Sequence, residues 1–225
     1  MDVAAVVFDL DGTLIDTEHL WDEVRRGLAA ADGRDWPADA TSAMLGMSTP
    51  EWSRYLAETV GVRGTPEEVA KRTIDGMLEH YHRGLPVLPG AVDAVRRMHA
   101  ATGLLGAATS SPRVLLDAAL AELGVTELFS ATVSTEEVAA GKPAPDGYAE
   151  CCRRLGVEPQ RAVAVEDSAN GIRSALNAGM AVVAIPPHFH PPPADVLARA
   201  SAVLDDLDGL TGGLLAELPT PGTAA

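Results

Sequence analysis

An α/β fold built on a parallel sheet is predicted by two regularities of this sequence and one interruption. Short runs rich in Val and Ala recur along the chain, helical patterns separate most of them, and a long strand-free interval follows the first run. Strands that alternate with helices need crossover connections, and crossovers make neighbouring strands parallel. The strand-free interval then reads as a helical insert.

The first predicted strand covers residues 4–8 and ends in the stretch FDLDGT. From about Thr17 to about Pro86 only helix signals occur. Thr49-Pro50-Glu51 predicts a cap before a first-turn proline, and Thr65-Pro66-Glu67-Glu68 predicts a capping box. Pro86, Pro89 and Gly90 mark the return to the main domain. Helices at 91–101, 113–123, 146–155 and 168–178 then alternate with strands at 104–108, 131–133, 162–165 and 181–185. Pro219 to Ala225 reads as a frayed tail. The expected division is a Rossmann-like catalytic core from 1–16 and 87–218, a helical cap domain from 17–86 and a flexible tail from 219–225.

Composition bounds the partners. The chain has 225 residues, 47% of them hydrophobic, enough for a core plus a smaller second unit. A formal net charge of -15, with no Lys/Arg stripe to interrupt it, disfavours nucleic acid and anionic membranes. A small molecule fits better, and monomer is the default expectation. Cys151 and Cys152 are adjacent, which excludes a normal disulfide between them and gives no metal spacing. That pattern, with no basic leader and no run of about 18 apolar residues, predicts a cytoplasmic protein.

Why the first strand should end in two aspartates is a question of charge. On an extended chain Asp9 and Asp11 would face the same way, and two like charges that close call for a cation, a shared proton or a phosphoryl group. A calcium loop would need glycine at Leu14 and an acid or amide at Thr13, so that reading fails. Open parallel sheets bind ligands at the carboxyl ends of their strands, and other polar residues recur at equivalent places. Thr109, Ser110 and Ser111 follow one strand, Glu166-Asp167-Ser168 follow another, and Lys142 lies in the loop GKPAPDGY.

Mg²⁺ takes hard oxygen ligands, and Asp9 and Asp167 can supply carboxylates with the main-chain carbonyl of Asp11 as a third group. Lys142 adds a positive charge. The Thr109 hydroxyl and the amides around Ser110 suit phosphate oxygens, near a helix start at Ser111-Pro112. Displacement at phosphorus needs positioning and charge neutralisation, and a carboxylate can also act as nucleophile. Singly, Lys142 reads as a surface lysine and Glu166-Asp167 as a helix cap; only the joint arrangement favours chemistry. His188 and His190, in PPHFHPPP, read as part of a connector more readily than as a two-histidine metal site.

DLDGT at 9–13, the Thr109 loop, Lys142 in GKPAPDGY and EDS at 166–168 together resemble the haloacid dehalogenase superfamily over essentially the whole chain. The insert resembles the small helical cap of the subgroup that holds beta-phosphoglucomutase and sugar-phosphate phosphatases. The resemblance implies Asp9 as nucleophile and Asp11 as general acid and base. It implies Thr109, Ser110 and Lys142 as phosphate-binding residues, and Asp9, Asp11, Glu166 and Asp167 as the Mg²⁺ site. The mutases carry a histidine where Trp21 stands, an arginine at Thr49 and a lysine near Thr73, and this chain has none of them. Asp11 argues against carbon-halogen cleavage, which needs no acid for an alkoxide. The expected activity is therefore Mg²⁺-dependent hydrolysis of a small phosphomonoester through an aspartyl-phosphate. The alternatives are a phosphomutase and a non-catalytic binding protein on the same scaffold. DTEHLWDE resembles sugar-phosphate phosphatases, which makes Glu18, His19, Trp21 and Met47 candidate substrate contacts.

Overall fold

The structure, a computed structural model, describes residues 2–44, 47–189 and 191–219. Strand β1 (Ala5–Phe8) opens the chain. Helices α1 (Glu18–Ala31), α2 (Ala40–Ala43), α3 (Thr49–Arg54) and α4 (Pro66–Gly84) follow. The remainder alternates: α5 (Ala91–Thr102), β2 (Leu105–Thr109), α6 (Arg113–Glu122), β3 (Phe129–Ser134), α7 (Asp146–Leu155) and β4 (Ala162–Glu166). It closes with α8 (Ala169–Asn177), β5 (Ala181–Ala184), α9 (Ala194–Leu197), β6 (Ala202–Val203) and α10 (Gly212–Glu217). The chain divides into two compact units, Met1–Asp16 with Pro86–Ala225, and Thr17–Leu85.

The larger unit holds a parallel sheet in the order β3-β2-β1-β4-β5-β6, the α/β architecture expected. Because the chain steps outward from β1 through β2 to β3 and then returns to place β4 on the other side, the strand order reverses beside β1. A crevice opens at such a reversal, at the carboxyl ends of the strands. Every residue of β1, β2, β4 and β5 is buried, as strands covered on both faces must be.

Small side chains set the depth of the sheet. Ala5 and Val7 pack with Tyr148, Cys151 and Ile172, from α7 and α8, in one buried cluster. A Cβ on Gly106 would run into Cys151 Sγ, so glycine in β2 is what lets α7 lie this close. Burial pushes both thiols up, Cys152 to about 11, and they serve as core hydrophobes. Alternation turns Val6 and Phe8 to the other face, where α5 packs on β1 and β2.

In the helical unit Ala29, Met44, Trp52, Leu56, Val60 and Val69 form a separate core. Trp21 and Trp52 meet edge to face at 5.8 Å, and the Arg25 guanidinium lies over both rings, 4.8 and 4.9 Å from their centroids. Arg26 covers Trp36 in the same manner at 5.0 Å. Thr65 and Glu68 form the predicted capping box. The other start is displaced by one residue: Ser48, not Thr49, caps α3 and pairs with Glu51. Thr49 instead takes the first helical position, beside Pro50.

Strand ends also differ from expectation. β3 runs from Phe129 to Ser134, longer than 131–133, and β6 has only two residues, too few to give a periodic signal. The chain leaves β1 after Phe8, so strand alternation does not carry to Asp11. Instead the amides of Leu14 and Ile15 both bond Leu10 O, closing a turn, and Ile15 bridges to Val87. Among the described residues no helix is long and apolar enough to cross a membrane. Residues 220–225 of the expected tail, and His190, lie outside the described residues.

Candidate active site

Four loops at the carboxyl edge of the sheet supply the site. Asp9 follows β1 and keeps the sheet pairing for one more residue, its amide bonding Val165 O at 2.9 Å. That hydrogen bond fixes a buried carboxylate, 6% exposed, beside the end of β4. Lys142 reaches it from the loop before α7. The ammonium donates to Asp9 Oδ1 at 2.5 Å and to Glu166 Oε1 at 2.6 Å. Its loop is tied to α8, where Ser174 Oγ donates to Ala144 O at 2.5 Å and Asn177 Nδ2 to Pro143 O at 3.1 Å.

Glu166, the last residue of β4, is fully buried, and donors surround both its oxygens. Oε1 accepts from Lys142 and from the Tyr148 hydroxyl at 2.9 Å. Oε2 accepts from the amides of Asp167 and Ser168 and from Ser168 Oγ, at 3.1, 3.2 and 3.0 Å. Ser168 Oγ in turn accepts from Gly171 N at 3.0 Å, capping α8. A Cβ at Gly171 would overlap the Glu166 carboxylate, so the first turn of α8 closes on that group only as glycine. Gly12, at φ +88°, plays the same part beside Asp167.

Asp11 faces a different neighbour. Its Oδ2 accepts from Thr109 Oγ1 at 3.2 Å and from Ser111 Oγ at 2.6 Å. Thr109 Oγ1 also accepts from Ser111 N at 3.0 Å, while Ser134 Oγ donates to Ser111 O at 2.7 Å. The hydroxyls of Thr109, which ends β2, and of Ser111 thus both donate to Asp11, while Ser134 at the end of β3 braces the Ser111 backbone. Ser110 is exposed in the same loop.

The acids outnumber the local cation. Burial, then the charges of Glu166 and Asp11, raise Asp9 to about 7 against the opposing pull of Lys142. Burial, Glu166 and Asp9 push Asp167 well up. Burial alone would lower Lys142, yet Asp9 and Glu166 outweigh it and hold its proton more firmly than usual. Oxygens of Asp9, Glu166 and Asp167 lie within 4.8 Å of one another, a spacing that a cation can bridge. The donor set fits a hard divalent ion through the carboxylate oxygens of Asp9 and Asp167, whereas five donors already occupy Glu166.

Most of the residues singled out in the sequence for chemistry therefore share this crevice edge: Asp9, Asp11, Thr109, Ser110, Lys142, Glu166 and Asp167. The Asp11 carboxylate accepts from Thr109 and Ser111, and its charge is also felt at Asp9. Glu18 and His19 are exposed on the first turn of α1, while Trp21 and Met47 pack against the helical core. His188 is exposed in the loop after β5. Sequence reasoning missed the roles of the Tyr148 and Ser111 side chains. Tyr148 could have been found: a tyrosine facing a sheet of Ala, Val and Gly must find a partner for its hydroxyl.

Comparison with known proteins agrees with the family resemblance and the fold. Residues 3–179 match the haloacid dehalogenase-like hydrolase family. The chain is similar to validoxylamine A 7'-phosphate phosphatase of Streptomyces hygroscopicus subsp. limoneus, 31% identical over 89% of this chain and 92% of that protein. It is similar to hexitol phosphatase B of Escherichia coli K12, at 32% over 87% and 90%. Among solved structures, CbbY from Rhodobacter sphaeroides in complex with phosphate superimposes with a TM-score of 0.80 at 28% identity, covering 92% of this chain and 96% of that one.

Proposed function

The chain belongs to the haloacid dehalogenase-like hydrolase family, and on that basis we propose that it is a Mg²⁺-dependent phosphatase of a small sugar or sugar-alcohol phosphate. Hydrolysis of phosphate esters follows from the family and from relatives named as phosphatases. The observation that carries the finer reading is the buried Asp9 carboxylate gripped through Oδ1 alone by Lys142.

In this reading Asp9 Oδ2 attacks phosphorus, the bond to the sugar oxygen breaks, and Asp11 gives that oxygen its proton. Water then attacks the aspartyl-phosphate, Asp11 takes the proton, and inorganic phosphate leaves with Asp9 restored. Lys142 and Thr109 hold phosphoryl oxygens, together with amides near Ser110. Asp9 and Asp167 would hold the Mg²⁺, whose charge offsets the phosphoryl oxygens and keeps Asp9 ionised. Glu166 serves as the anchor of Lys142. The helical unit, 17–85, is proposed as the cap that selects the leaving group, with Glu18 and His19 the better candidates because Trp21 and Met47 are engaged in packing.

Phosphate release from a panel of sugar and sugar-alcohol phosphates, with and without Mg²⁺, tests this. Wild type should release phosphate only with metal, and Asp9→Asn should remove nearly all of it. Substantial turnover by Asp9→Asn would exclude the covalent route.

A further inference from the structure

Tyr148 belongs to no part of the mechanism above, yet it is fully buried at the centre of the site. Its hydroxyl donates to Glu166 Oε1 at 2.9 Å, the oxygen that also accepts Lys142 Nζ at 2.6 Å. The same ammonium lies 5.0 Å from the centroid of the Tyr148 ring. One side chain therefore touches both members of the Glu166–Lys142 pair, through its hydroxyl on one and its π face on the other.

We propose that Tyr148 is a positioning residue that sets how the Lys142 charge is shared between Glu166 and the reacting groups. Removing the hydroxyl would leave Oε1 of Glu166 with Lys142 as its only donor. A carboxylate that loses one donor holds the remaining cation more tightly, so the ammonium shifts toward Glu166 and away from Asp9. The aromatic face attracts the ammonium from a third direction and limits that shift. Placement supports the assignment: Tyr148 stands in the first turn of α7, and the loop that carries Lys142 leads directly into that helix. The phenol stays a donor, since burial and the charges of Glu166 and Asp9 hold its proton well above the ordinary range.

The inference rests on Lys142 as the phosphate-holding cation, and the test separates the two. Tyr148→Phe keeps the ring and deletes only the hydroxyl. With p-nitrophenyl phosphate and Mg²⁺, KM and the inhibition constant of inorganic phosphate should both rise about tenfold, while kcat changes less than about threefold. In a Glu166→Gln background the same substitution should change the phosphate inhibition constant by less than about twofold, because the acceptor it acts through is altered. A thermal midpoint that falls with KM unchanged would make Tyr148 a packing residue and overturn the proposal. So would an undiminished tenfold loss in the Glu166→Gln background. A wild type that neither turns over p-nitrophenyl phosphate nor is stabilised by inorganic phosphate would remove the phosphatase reading and the role of Tyr148 together. An active wild type with an unaltered Tyr148→Phe would remove only the latter.

Discussion

Ser111 Oγ donates to Asp11 Oδ2 at 2.6 Å, joining the loop after β2 to the loop after β1. Because Ser134 fixes the Ser111 carbonyl and Thr109 its amide, the hydroxyl aimed at Asp11 has little freedom. Ser111→Ala should lower kcat about tenfold on a substrate with an alkoxide leaving group, by loosening Asp11, the proposed general acid. The loss should shrink on p-nitrophenyl phosphate, whose phenolate needs little protonation. Equal losses on both substrates would argue against a role through Asp11.

Asp11→Asn should block the second step more completely than the first when the leaving group is good. A rapid burst of about one p-nitrophenolate per active site, followed by slow turnover, is the expected trace in a stopped-flow experiment. Linear progress from the start would be the contrary result.

Lys142 places an ammonium between two buried acids, with its side chain 6% exposed and Asp9 and Glu166 almost wholly covered. Lys142→Met leaves two buried carboxylates without their cation and should cost about 3–5 kcal/mol in metal-free protein. Urea unfolding in EDTA measures it; a loss under about 1 kcal/mol would mean that the acids take up protons or water at little cost.

Asp9 sits at about 7 in the folded protein against an ordinary value of 3.8. Between those values the folded chain binds the proton and the unfolded chain does not, so metal-free stability should fall as pH rises from about 4 to 7. Metal competes for the same oxygens. Apparent Mg²⁺ affinity should therefore weaken by at least about tenfold from pH 8 to pH 6, through the proton displaced from Asp9 and any displaced from Asp167, which is also raised, as calorimetry in two buffers can read.

At Gly171 a methyl group would enter the Glu166 carboxylate. Gly171→Ala should cost about 1–3 kcal/mol by overpacking and raise KM by displacing the anchor of Lys142. Chemical unfolding together with steady-state kinetics checks both effects.

The strand-helix alternation was legible because β1, β2, β4 and β5 are buried on both faces and so leave unbroken apolar runs. β6 was not, being two residues long, and Thr49 was mistaken for the cap that Ser48 provides because both are hydroxyl residues ahead of Pro50. In the site, Asp9, Lys142 and Asp167 could be read from charge at loop positions. The orientation of Asp11 could not, since it depends on a turn around Leu10 O that starts where β1 has already ended. For Tyr148 the need of a partner was legible but the partner was not: Glu166 is 18 residues away, and packing of α7 on the sheet brings them together.

The tryptophans are distributed unequally. All three, Trp21, Trp36 and Trp52, fall within 17–85, and each has an arginine over its ring. Indole emission therefore reports on the helical unit alone, and the unit that holds the sheet is silent at wavelengths where only tryptophan absorbs. Denaturation followed by fluorescence and by circular dichroism would coincide if the units unfold together and separate if they do not, so the native sequence already carries an optical label on one unit.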